Sequence, residues 1–109
     1  MVINIETATT KKDKGKCFSI RQDVFVKEQN ISKKIEFDDG NVDATYFIAQ
    51  YKNISVGTAR YRLTDFGIKL ERFAILKPYR NLGIGKELVF YILNSIKDEN
   101  VIYLHAQES

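Results

Sequence analysis

The residues from Leu70 to Lys86 read LERFAILKPYRNLGIGK, and this stretch decides the fold. Its first part belongs to a mostly apolar run, Ile68 to Leu76, which predicts a buried strand. Pro78 ends that strand, because proline cannot donate a hydrogen bond to a neighbouring strand. From Gly83 to Lys97, apolar residues recur at four-residue steps, a pattern typical of an amphipathic helix. The sequence therefore predicts a strand, a short loop, and a helix whose first turn is Gly-Ile-Gly.

The glycines at the start of this helix predict an anion site. Because Gly83 and Gly85 have no side chains, the N–H groups of the first helical turn lie unshielded at the positive end of the helix dipole. Arg80 and Lys86 flank the turn and add positive charge. A phosphate or pyrophosphate would fit there. The alternative is that the two glycines only form a tight helix start, since short glycine motifs recur by chance.

Two better-known phosphate loops do not match these residues. The dinucleotide fingerprint requires a third glycine at position 88, which is Leu88. A Walker loop ending at Lys86 requires glycine in place of Arg80 and serine or threonine in place of Glu87.

The rest of the chain predicts a mixed sheet with helices. The expected segments are a strand over Val2–Thr7, a helix from Lys11 to about Glu28, a short helical turn with an acidic loop over Gln29–Asp43, hairpin turns at Asn53 and Asp65–Gly67, and a last strand over Val101–Ala106. The fold class is α+β (an α/β mixed sheet) in the order β-α-α-β-β-β-α-β. The crossover helix should make the last two strands parallel.

Composition limits the chain to one domain, residues 1–109. A net charge of +3 spread over many segments argues against a nucleic-acid binder. No apolar run approaches the roughly 20 residues that cross a bilayer, so no membrane partner is expected. The one cysteine, Cys17, cannot form an internal disulfide, which suits a reducing cytoplasm. Cys17 falls on the apolar face of the first helix and is expected to be a core residue.

The pattern Arg-x-x-Gly-x-Gly, from Arg80 to Gly85, resembles the pyrophosphate-binding motif of the GNAT superfamily of acyl-CoA-dependent N-acetyltransferases. The resemblance extends over Arg21 to Ser109 and is strongest to the ElaA/YjcF-like branch. The segments that carry it are Arg21–Gln29, Glu36–Asp38, Asp43–Ala44, Val56–Arg60, Glu71–Ile75 and Leu104–Gln107.

This resemblance implies a GNAT-like acyl-CoA N-acyltransferase fold with acetyl-CoA or coenzyme A as cosubstrate and no metal. It implies that the main chain of the fourth strand pairs with the pantetheine arm, that the loop amides wrap the pyrophosphate, and that the fourth and fifth strands separate there. The cofactor-binding residues would be Phe73, Ala74, Ile75, Arg80, Asn81, Leu82, Gly83, Ile84, Gly85 and Lys86.

Acetyl transfer needs a neutral amine, a polarised thioester carbonyl and a proton for the leaving thiolate. The two-residue period of a strand would put Glu71 on one face with Phe73 and Ile75, so Glu71 is the expected catalytic base. The alternative is an ion pair with a nearby Arg or Lys. A backbone N–H of the fourth strand is the expected carbonyl polariser. Arg21 and Glu28, beside an acidic rim at Asp38, Asp39 and Asp43, are the expected substrate-binding residues for a primary amine.

Members of the family continue past the segment that ends here at Gln107 into a further helix and two strands. The fold is therefore expected to be C-terminally truncated, and the alternative function is a catalytically impaired acyl-CoA-binding module. Val101 to Leu104 would then form an exposed sheet edge without proline or charge. Such edges pair with other chains, which predicts a homodimer through the fifth strand.

Overall fold

The computed structural model describes residues 2–30, 44–96 and 102–104. The elements in chain order are β1 (Asn4–Ala8), α1 (Lys11–Arg21), a π-helical segment (Gln22–Glu28), β2 (Ala44–Tyr51), β3 (Ile54–Thr64), β4 (Gly67–Ile75), a 3-10 turn (Lys77–Tyr79), α2 (Ile84–Ser95) and β5 (Ile102–Leu104). The α+β class is confirmed. The helical turn expected between Gln29 and Asp43 falls outside the described residues, apart from its first two positions.

The five strands form one sheet in the order β1-β2-β3-β4-β5. The first four strands are antiparallel and β5 runs parallel to β4, as the crossover helix α2 requires. The β2–β3 hairpin turns at Lys52 and Asn53, whose φ angles of 48° and 66° are both positive. Two positive φ angles in a two-residue loop match the twist of paired strands, and Asn tolerates that conformation.

Each face of the sheet carries one helical layer. The buried residues of α2 (Ile84, Leu88 and Ile92) pack against Phe47, Ala49, Val56, Ala59, Ile68 and Leu70 on one face. On the other face, Cys17 of α1 packs with Ala8, Tyr46 and Ile48, while Ile20, Val24 and Phe25 pack with Ala74. In the part of the chain that the structure describes, neither helix is long and apolar enough to cross a membrane.

A β-bulge interrupts β4 between Glu71 and Ala74. Thr58 of β3 lies opposite Ala74, but Arg60, two residues further, lies opposite Glu71, so β4 contains one extra residue. Arg72, inside the bulge, has a φ of 57°. The extra residue moves Glu71 onto the face of Thr58 and Arg60, which α1 covers. The prediction that Glu71 shares a face with Phe73 and Ile75 is therefore wrong, since the strict two-residue period fails at the bulge.

Gly57 allows the start of α2 to pack closely on the sheet. A Cβ atom at this position would lie 2.7 Å from Cδ1 of Ile75 and 3.4 Å from Cγ2 of Ile84. Ile75 ends β4 and Ile84 begins α2, so this close approach fixes the two ends of the loop between them.

Candidate anion site

The loop from β4 to α2 changes direction through backbone conformations that glycine and asparagine favour. The Leu76 amide donates to the Val56 carbonyl at 2.9 Å, and the 3-10 turn follows with Pro78 in its first positions. Asn81 has a φ of 63° and Gly83 a φ of 82°, both in the left-handed region. These two residues turn the chain into α2.

The first turn of α2 presents backbone amides on an open surface. The Glu87 amide donates to the Gly83 carbonyl at 3.0 Å, so the N–H groups of residues 84–86 precede the helical hydrogen-bond ladder. Among the described residues, no atom lies within 4 Å of a Cβ placed at Gly83 or Gly85, apart from the chain neighbours and the backbone of α2 itself. Lys86 is exposed, with its ammonium 5.7 Å from the ring centre of Phe90. Amides, helix dipole and ammonium together can bind an anion.

Arg80 lies at the entrance of this loop with its guanidinium held on two sides. Its Nε donates to the Ile75 carbonyl at 2.9 Å, and its two terminal nitrogens donate to the Glu28 carboxylate at 2.5 and 2.8 Å. The hydrogen bond from Arg80 is the main cause of the lowered pKa of Glu28. The sequence predicted Arg80 beside the anion site but gave no sign of its partner, because the two residues are 52 positions apart.

The main chain of β4 extends past the described part of β5. The parallel pairing joins Ile68, Lys69 and Leu70 of β4 to residues 102–104. The segment from Glu71 to Ile75 therefore lies beyond the described β5 residues on that side, and it contains the predicted pantetheine-binding residues Phe73, Ala74 and Ile75. Its C-terminal end leads directly to the anion loop.

Glu71 is buried in a cluster of cations. Its Oε2 accepts hydrogen bonds from Nε of Arg60 at 2.7 Å and Nε of Arg62 at 2.9 Å, and Nζ of Lys69 lies 3.2 Å from Oε1. Burial alone would raise the pKa of Glu71, but the hydrogen bonds from Arg62, Arg60 and Lys69, together with the charge of Arg60, lower that pKa to about 2. This arrangement favours the alternative prediction, in which Glu71 forms ion pairs with nearby cations, over the prediction that Glu71 is the catalytic base.

Two other predicted residues are buried on the α1 face. Arg21 is 1% exposed, and its guanidinium carbon lies 5.5 Å from the ring centre of Phe18. The Cys17 thiol is buried and donates to the Phe47 carbonyl at 3.6 Å, and burial raises the pKa of that thiol. Asp38, Asp39 and Asp43 lie outside the described residues. Within residues 2–30, 44–96 and 102–104, no three His, Cys, Asp or Glu side chains form a metal-binding group.

These features define an α+β domain whose anion loop joins a bulged strand to a crossover helix. Residues 14–109 match the profile of the Acetyltransferase (GNAT) family, and the chain belongs to that family. It is 36% identical over 110 residues to a Bacillus subtilis (strain 168) protein whose name describes it as an acetyltransferase; the alignment covers 96% of this chain and 75% of that protein. It is 37% identical over 68 residues to the uncharacterized N-acetyltransferase YjcF of the same strain, covering 62% of this chain and 49% of YjcF.

Solved structures share the fold. A Lactobacillus plantarum protein whose name describes it as an N-acetyltransferase superposes with a TM-score of 0.83 at 22% identity, covering 96% of this chain and 75% of that one. Escherichia coli ElaA gives 0.75 at 21% identity, with coverages of 94% and 77%. A Clostridium acetobutylicum protein whose name describes it as an acetyltransferase, solved with acetyl-CoA, gives 0.72 at 20% identity, with coverages of 98% and 82%. The predicted resemblance to the GNAT superfamily is confirmed.

Proposed function

We propose that this protein transfers the acetyl group of acetyl-CoA to a primary amine of a small molecule or peptide. The observation that carries the proposal is the anion loop, which joins the end of β4 to the N-terminus of α2 through the left-handed residues Asn81 and Gly83. Membership of the GNAT family supports it, as does the acetyl-CoA in the Clostridium acetobutylicum structure.

Each half of the cofactor has a proposed position. The amides from Asn81 to Lys86 bind the pyrophosphate, because they gather at the positive end of α2. The pantetheine arm pairs with the main chain of Phe73, Ala74 and Ile75 as an added strand would. A backbone N–H at the bulge polarises the thioester carbonyl, since a bulge leaves a main-chain group outside the regular ladder.

Within this mechanism, Glu71 is an unsuitable base. A carboxylate with a pKa of about 2 holds a proton too weakly to take one efficiently from an ammonium group near neutral pH. We assign Glu71 instead to the ion pairs that hold β3 and β4 together beside the bulge.

Because the ion pairs of Glu71 make it an unsuitable base, a second candidate function is a module that binds acyl-CoA without turnover. The two functions differ in one experiment. Purified protein is titrated with coenzyme A in a calorimeter, and release of the coenzyme A thiol from acetyl-CoA is then followed with a panel of primary amines. Saturable binding with amine-dependent thiol release supports the transferase, binding without release supports the module, and absence of binding contradicts both.

We further propose that the protein works in the cytoplasm as a homodimer through β5. The free thiol of Cys17 suits a reducing compartment. Within the described residues, β5 pairs with β4 and lies last in the strand order, so the proposed contact joins the outer edges of two β5 strands.

A further inference from the structure

Glu28 and Arg80 connect two parts of the molecule that the sequence separates widely. Glu28 is the last residue of the π-helical segment, and Arg80 directly precedes the loop that begins at Asn81. Both carboxylate oxygens of Glu28 accept hydrogen bonds from Arg80, at 2.5 and 2.8 Å. This two-point contact fixes the plane of the guanidinium as well as its distance.

The third contact of Arg80 ties the pair to the sheet. Nε of Arg80 donates to the Ile75 carbonyl at 2.9 Å, at the last residue of β4. The guanidinium therefore spans from β4 to the π-helical segment, with the Arg80 main chain held between the 3-10 turn and Asn81. Asn81, the next residue, has a φ of 63°, so the main chain turns into the loop immediately after Arg80. The direction in which the loop begins therefore depends on where Arg80 is held.

We propose that Glu28 is a positioning residue for the anion loop: it holds Arg80 across the end of β4 and so sets the arrangement of the amides from Asn81 to Lys86. This assignment takes the place of the predicted direct contact between Glu28 and the amine substrate. Its consequence for coenzyme A rests on the proposed function of the loop.

The direction in which the coenzyme A affinity changes in a Glu28 variant distinguishes a positioning role from an effect of charge alone. Removal of a negative charge beside an anion site should strengthen binding of an anionic ligand if charge alone matters. If Glu28 positions Arg80, Glu28→Gln should instead weaken coenzyme A binding, by about fivefold, the scale of one partly exposed ion pair. In an Arg80→Gln background, Glu28→Gln should change the affinity no further, because the interaction is already lost.

The matched control is Asp23→Asn in the same π-helical segment. Asp23 pairs with Lys27 at 3.3 Å on the surface, with side chains 46% and 66% exposed. The substitution removes the same charge without touching Arg80. Coenzyme A affinity should stay unchanged or rise slightly in this variant.

A second measurement tests the positioning in the absence of any ligand. The amides of Tyr79, Arg80 and Glu87 donate to the carbonyls of Leu76, Lys77 and Gly83, so their hydrogen exchange reports on both ends of the loop. Glu28→Gln should speed their exchange about fivefold relative to Asp23→Asn, again the scale of one partly exposed ion pair. Unchanged exchange, or a coenzyme A affinity that rises in Glu28→Gln, would overturn the proposal. If the wild-type protein binds no coenzyme A but Glu28→Gln still speeds exchange, the proposed function fails while the positioning role stands.

Discussion

Replacing Glu71 by glutamine distinguishes a structural ion pair from a catalytic base. Glutamine keeps the shape of the side chain but removes the charge that Arg60, Arg62 and Lys69 contact. The pKa of Glu71 is lowered from 4.5 to about 2, and at about 1.4 kcal/mol per unit this corresponds to roughly 3 kcal/mol of stability. Loss of one member of a buried pair costs about 3–5 kcal/mol in other proteins, which agrees in scale.

The effect should depend on pH in a defined direction. Because the folded state lowers the pKa of Glu71, its stabilisation is complete above about pH 4.5 and is lost as the pH falls towards 2. Urea unfolding at pH 7 should therefore show Glu71→Gln about 3 kcal/mol less stable than the wild type, with the melting temperature lower by about 10–20 °C. The difference should shrink between about pH 4.5 and 2.

The control is Glu6→Gln, the same substitution at an exposed residue of β1, which should leave stability within about 0.5 kcal/mol. Amine acetylation, measured at a temperature where Glu71→Gln is folded, should stay within a few-fold of the wild type. A variant of unchanged stability that has lost more than about a hundredfold in turnover would refute the ion-pair role and restore the base. Lys69→Met is a second test, which removes one cationic partner and keeps the Glu71 carboxylate. It should lower the free energy of unfolding by less than Glu71→Gln does, and this difference from the wild type should also shrink between about pH 4.5 and 2.

Three further outcomes follow from the structure. Gly83→Asp and Gly83→Asn should be equally strained at a φ of 82°, but the aspartate charge should abolish coenzyme A binding while the asparagine weakens it modestly; equal affinities in a calorimeter would contradict the anion loop. Cys17 should resist thiol reagents in the native protein and react at once in urea, because its thiol is buried with a raised pKa; rapid native labelling would contradict this burial. Sedimentation at micromolar concentration should show a dimer that Ile102→Lys converts to a monomer, and a wild-type monomer would exclude pairing through β5.

The order of the elements was predictable because long periodic segments carried most of the signal. The four-residue spacing from Ile84 to Ile92 predicted α2, and Asn53 marked a hairpin whose two loop residues both have positive φ. The contact between Glu28 and Arg80 was not predictable, since no local pattern relates residues 52 positions apart. The π-helical end of the first helix was also missed, because its apolar residues Val24 and Phe25 suit a continuous α-helix equally well.

The bulge in β4 accounts for the main error in the predicted site. In a regular strand alternate residues share a face, so Glu71 and Phe73 would lie on the same face of the sheet. A single extra residue moves every side chain on one side of the bulge to the opposite face. The extra residue therefore moves Glu71 off the face that carries Phe73 and Ile75, on which the prediction of a catalytic base depended. The sequence could not reveal the bulge, because arginine gives no local signal for the φ of 57° that Arg72 adopts.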